Sequence, residues 1–92
     1  MTIEQEQALA KLRDRLEREK WPQKYAFKFI MPNDGFTIKQ VEMVLPPVGQ
    51  RGTRLSKNGK YIALTHICIA PAAEMVTRVT GMAMEVPGVM TL

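Results

Sequence analysis

Residues 50–70 run QRGTRLSKNGKYIALTHICIA, and no other stretch constrains the chain topology as strongly. Two strands, 50–57 and 60–70, are expected on either side of Asn58-Gly59. Both central residues of a type I′ turn need positive φ, which Asn and Gly tolerate best, so this dipeptide between β-prone runs marks a hairpin. In the second strand Ile62, Leu64, His66 and Cys68 share one face, and Tyr61, Ala63, Thr65, Ile67 and Ile69 share the other. Both faces are largely apolar, the pattern of a central strand covered on both sides.

Upstream, Tyr25, Phe27 and Phe29 alternate with Ala26, Lys28 and Ile30, which predicts a strand over 25–31 with its aromatic face on the core. Pro32-Asn33-Asp34-Gly35 has turn chemistry. A helix is expected over 37–45, opened by a capping box from Thr37 to Gln40, with Ile38, Val41 and Leu45 on one face and Pro46-Pro47 as its stop. Downstream, Pro71 suits a helix start. Ala72, Met75, Val76, Val79 and Ala83 keep helical period to Met84. Gly81 is either a weak interior point, by about 1 kcal/mol against alanine, or the helix end. Pro87-Gly88 turns the chain into a short last strand over 89–92.

The first twenty-one residues read as a helical extension. Thr2 and Gln5 form a capping box, and Leu9, Leu12 and Leu16 make a narrow apolar stripe. Arg13 with Glu17, Asp14 with Arg18, and Arg15 with Glu19 are i,i+4 pairs on the wet side. The stripe lies either on its own domain or on a second subunit. Pro22 stops the helix. Residues 22–92 then follow the order β-α-β-β-α-β. That is an α+β, ferredoxin-like arrangement (an alpha-beta plait), a four-stranded antiparallel sheet with two helices on one face. The other face is left for the N-terminal helix or a partner subunit to cover.

Ninety-two residues fit one domain. The net charge is +4. From Pro46 to Ala73 the chain has Arg51, Arg54, Lys57 and Lys60 and no acid. Such a patch draws nucleic acid, a small anionic ligand or an acidic protein, or it keeps a strand edge solvated. Lys28, Ser56, Lys57, Lys60 and Tyr61 are the candidate binding residues.

No catalytic apparatus is legible. His66 and Cys68 are the only histidine and cysteine, share one apolar face and read as core. They cannot supply four zinc ligands. Ser56, the only serine, has no nucleophile setting. Gly49, Gly52 and Gly59 do not form a phosphate loop. No enzyme activity, cofactor or metal is expected. The aromatics of the first strand face inward, leaving no base-stacking platform, so nucleic-acid binding through the basic hairpin is the alternative reading, not the first. No run reaches the length of a membrane span, and one free thiol without a leader points to the cytoplasm.

The segment from Tyr25 to Ile30 (YAFKFI), the hairpin LSKNGKY over 55–61, the strand through Thr65, Pro22 and Gly88-Val89 together resemble the YbeD-like family, over about residues 21–92. Members carry the label of lipoate regulatory or lipoic-acid-binding regulatory proteins. The resemblance implies a ferredoxin-like fold close to the amino-acid-sensing (ACT) domains, self-association as a homodimer, and a regulatory or interaction role without established chemistry. By the same analogy Asn33-Asp34-Gly35, ahead of a helix, would offer backbone amides to a carboxylate. The chain departs from the family in its longer N-terminal helix and in Ala63, Ile67 and Ile69, which stand where small polar residues are usual.

Overall fold

Two ten-residue strands, β1 (Gln23–Pro32) and β3 (Tyr61–Ala70), pair antiparallel along their whole length, from Gln23 opposite Ala70 to Pro32 opposite Tyr61. The computed structural model describes all 92 residues. The chain forms α1 (Ile3–Glu17), β1, α2 (Gly35–Val44), β2 (Gln50–Leu55), β3, α3 (Ala73–Met84) and β4 (Met90–Thr91). The fold is α+β, with three helices and one four-stranded antiparallel sheet in the order β2-β3-β1-β4. No helix is long and apolar enough to cross a membrane.

Side-chain alternation gives the sheet two unlike faces. Phe27, Phe29 and Met31 of β1 and Leu64 and Cys68 of β3 are buried on one face. They share a single core with Val41 and Leu45 of α2 and Val76, Val79 and Ala83 of α3. Phe27 anchors it, edge-on to Tyr25 at 5.0 Å and stacked with Phe29 at 6.3 Å. The opposite face carries no helix.

Helix α1 settles one open question. Leu16 is buried in this same core, and Leu12 packs beside it. The leucine stripe therefore lies on α3 of its own chain, and neither faces a second subunit nor covers the bare sheet face. Gly81 permits the contact. Helix α3 runs through it to Met84, and a Cβ at this position would come within 3.1 Å of Leu9 Cδ2. The glycine removes a side chain where two helices meet, instead of ending one.

Two local expectations are corrected. Helix α2 begins two residues early, because Asp34 is its N-cap: the carboxylate accepts from the amides of Phe36 and Thr37. Thr37 instead donates its hydroxyl to Asp34 Oδ2 at 2.6 Å, so no capping box starts there. In the hairpin only Gly59 has positive φ, at 73°. The turn is thus not type I′. Gly59 N donates to Ser56 O at 3.0 Å, and Ser56 N to Tyr61 O at 2.9 Å, which closes a four-residue loop. Asn58 works through its side chain, whose Oδ1 accepts from Lys60 N and Ser56 Oγ. Strand β2 accordingly stops at Leu55.

Candidate functional site

Register places the bare face residue by residue. Its middle row is Lys28, Thr65 and Gly52, each opposite the next. The neighbouring rows are Ile30, Ala63 and Arg54 on one side and Ala26, Ile67 and Gln50 on the other. Lys24 opposite Ile69 follows, and Met90 flanks Ile30. Aliphatic surface lies open here: Ile69 is 64% and Met90 56% exposed. No carboxylate side chain belongs to this face, since none of the nine acidic residues lies in a strand. The one salt bridge of the chain, Arg78 with Glu74 at 3.2 Å, is on α3.

The face is not flat. A depression of about 390 Å³ lies between Lys28 and Arg54, floored by Gly52, Ala63 and Thr65, with Leu92 at its rim. A second, of about 520 Å³, lies at the sheet edge where β2 begins, lined by Lys24, Val48, Gly49, Ile67, Ile69 and the core-facing Cys68. A smaller one, of about 140 Å³, joins Ile30, Arg54, Ser56 and Tyr61 at the hairpin end. Another groove, of about 640 Å³, lies elsewhere, among the helices beside Leu9, Val44, Gly81 and Met82. On its lining Arg78 is already paired with Glu74, while Glu85 is unpaired, so this groove lacks the unpaired lysine and arginine side chains that mark the sheet face.

The structure divides the predicted binding residues. Lys28 is on the bare face, and Tyr61, 47% exposed, stands at the end of it. Ser56 lines the small depression, but its hydroxyl accepts from Tyr61 N at 3.0 Å and closes the loop. Lys57 and Lys60 sit at the hairpin tip. At about 3.4 Å per residue the tip is roughly 17 Å from the row of Lys28, so these lysines and Lys28 do not form one site. Arg54, Lys24 and Gly52 do share the face with Lys28, and sequence reasoning did not select them. The signal was register: Lys28 opposite Thr65, and Thr65 opposite Gly52, follow once the two pairings are drawn.

The remaining polar groups are spoken for. His66 is buried on the core face; its Nδ1 accepts from Arg51 Nε at 2.9 Å, and its Nε2 faces the Val48 carbonyl at 2.8 Å. That pattern fixes the neutral tautomer with the proton on Nε2, which donates to Val48. Burial, with some help from Arg51, holds the imidazole below its usual range against the opposing pull of the Val48 bond. Burial pushes the Cys68 thiol up. The two side chains share a face but make no hydrogen bond with each other. At the start of α2, the amides expected to greet a carboxylate already hold that of Asp34, and a second anion there would meet its charge.

Comparison with family models, curated proteins and solved structures finds no match to this chain.

Proposed function

We propose that this chain is a non-catalytic interaction module, of a regulatory kind, that takes a protein partner onto the bare sheet face. One observation carries the reading: an exposed aliphatic surface set with Lys24, Lys28 and Arg54, none of which makes an ion pair or a side-chain hydrogen bond within the chain. Exposed apolar surface interspersed with polar groups is characteristic of protein-interaction sites. The β-α-β-β-α-β order and the antiparallel arrangement β2-β3-β1-β4 support a ferredoxin-like plan, and with it the YbeD-like resemblance.

A second reading, nucleic-acid binding, is favoured by the same cations together with exposed Tyr61. It is the weaker one because the rest of the face is aliphatic, and bases stack on aromatic platforms. Homodimerisation through this face is weaker too, since two copies would oppose cations with no carboxylate side chain between them.

The test is site-specific photo-crosslinking in the source cells. A photoreactive residue at Ile69 is expected to capture a protein partner covalently, and one at Phe36, on the outer side of α2, is not. Absence of any adduct from Ile69, or an adduct to nucleic acid alone, would overturn the reading.

A further inference from the structure

Resting on that reading, we infer that the depression between Lys28 and Arg54 reads a carboxylate of the partner, and that the partner segment is an acidic peptide carrying apolar side chains on both sides of its Asp or Glu.

The floor of the depression is made of small residues. Gly52 and Ala63 bring the sheet surface down, and Thr65 adds a hydroxyl at its centre. Lys28 and Arg54 stand across it, two strands and one row apart, or about 12 Å between their Cα atoms from the strand spacings. Both side chains are long enough to converge on an oxygen pair placed between them. Arginine offers a planar fork that suits carboxylate geometry, and lysine a mobile point charge.

Apolar surface bounds this charged centre at both ends. On one side lie Ile67, Ile69 and Val48 around the larger depression, with Lys24 at its edge. On the other lie Ile30, Ala63 and Tyr61 around the smaller one. A segment crossing the face thus meets apolar, cationic and apolar surface in turn. The complementary order is a carboxylate between apolar side chains. A second copy meeting it face to face cannot supply it, because its own face has no carboxylate side chain. An oligonucleotide supplies anionic charge but no aliphatic groups.

Gly52 makes the inference testable without harming the fold. Its φ is not in the left-handed region, and a Cβ there would meet nothing within 4 Å. Valine is well suited to a strand and would fill the depression. The experiment is selection of short random peptides displayed on phage against the full chain, with the Gly52→Val chain as counter-target. Thermal melts of both establish that the variant folds. Enriched peptides are expected to carry Asp or Glu with apolar neighbours. Replacing that acid by its amide should weaken binding about tenfold, and Gly52→Val or Arg54→Glu should do at least the same. Enrichment of neutral or basic peptides, equal binding by folded Gly52→Val, or no enrichment would overturn the inference. Tighter binding of a single-stranded oligonucleotide on the same face would do so as well. If the Ile69 crosslink still captures a protein, only the carboxylate assignment fails; if that crosslink is also silent, the docking face itself is wrong.

Discussion

His66 stands where β2, β3 and the segment after α2 meet. The Arg51 that donates to it also reaches the Pro46 carbonyl at 3.2 Å, so one buried imidazole organises the link between α2 and β2. Its proton balance has a definite sign. Unfolded, the ring titrates near 6.5; folded, it titrates lower, chiefly because of burial. Between those values the unfolded chain holds more proton, so stability is full above about 6.5 and is lost as pH falls toward the folded value. Thermal melts should show a midpoint dropping through this window. His66→Gln should flatten that drop, while costing about 1–3 kcal/mol at neutral pH if one of the two partners is left unsatisfied. A steep drop retained in the variant would assign the effect to another group. Gly49 is the neighbouring constraint. It holds φ at +114°, and a Cβ would run into the Ile67 carbonyl oxygen and lie 2.9 Å from Cys68 Cβ. Gly49→Ala should therefore lose about 3 kcal/mol or more in denaturant unfolding, against a small change for Gly52→Ala, where space is open and φ ordinary. In the sequence both residues were only glycines beside a hairpin; the close approach of Gly49 to β3 depends on tertiary packing that no local pattern encodes.

At the scale of elements, α1 packs on α3 and reaches the core at a single point. Leu16 is its one fully buried residue, and the Leu16 carbonyl accepts from Trp21 Nε1 at 2.9 Å. Leu16→Ala should cost about 2–5 kcal/mol, read from denaturant unfolding, with a change in Trp21 fluorescence as the helix loosens. Helix α2 depends on its cap. The Asp34 carboxyl is held below the usual carboxylate range, first by the Thr37 hydroxyl and then by the Phe36 amide. The stabilisation it adds is present above the ordinary carboxylate value and lost as pH falls through the folded one. Asp34→Ala should remove that acid dependence and fray the first turn of α2 in amide exchange. Much of this architecture was legible. The aromatic alternation of 25–31 oriented β1 correctly, and the two apolar sets of β3 marked a central strand. Of the two covers expected for the second set, the N-terminal helix is excluded, because it lies on α3. Charged α1 has an apolar stripe for one surface only, and the choice between α3 and the sheet turned on Gly81, which reads in sequence as a helix weakness. Asn58 misled for a similar reason. Its dipeptide favours a type I′ turn, but bonds from Ser56 and Lys60 to its side chain stabilise a longer loop in which Asn58 itself does not take positive φ.

At the scale of the whole molecule, charge is sorted by layer. The strands and hairpin tip carry Lys24, Lys28, Arg51, Arg54, Lys57 and Lys60 and no acid, while the remaining seven basic residues are outnumbered by nine acidic ones. A bare apolar sheet face ordinarily invites self-pairing. Here any face-to-face pair would desolvate three cations from each copy with no opposite side-chain charge in reach, a cost that apolar burial must first overcome. On the proposed reading the cations act twice, recruiting an acidic partner and repelling a second copy. Both effects weaken with ionic strength, but in opposite directions for the observer. Acidic-peptide binding should fall as salt screens the attraction. Self-association in sedimentation should be absent at low salt and rise, if at all, as salt screens the repulsion. Reversing one charge separates screening from general salting-out. Lys28→Glu places a carboxylate on each face where it can meet the Arg54 of a facing copy. That variant should dimerise more readily than the wild type at low salt, and added salt should weaken its dimer. A variant as monomeric as the wild type, or a wild-type dimer strongest at low salt, would show that like charge is not what keeps this face free.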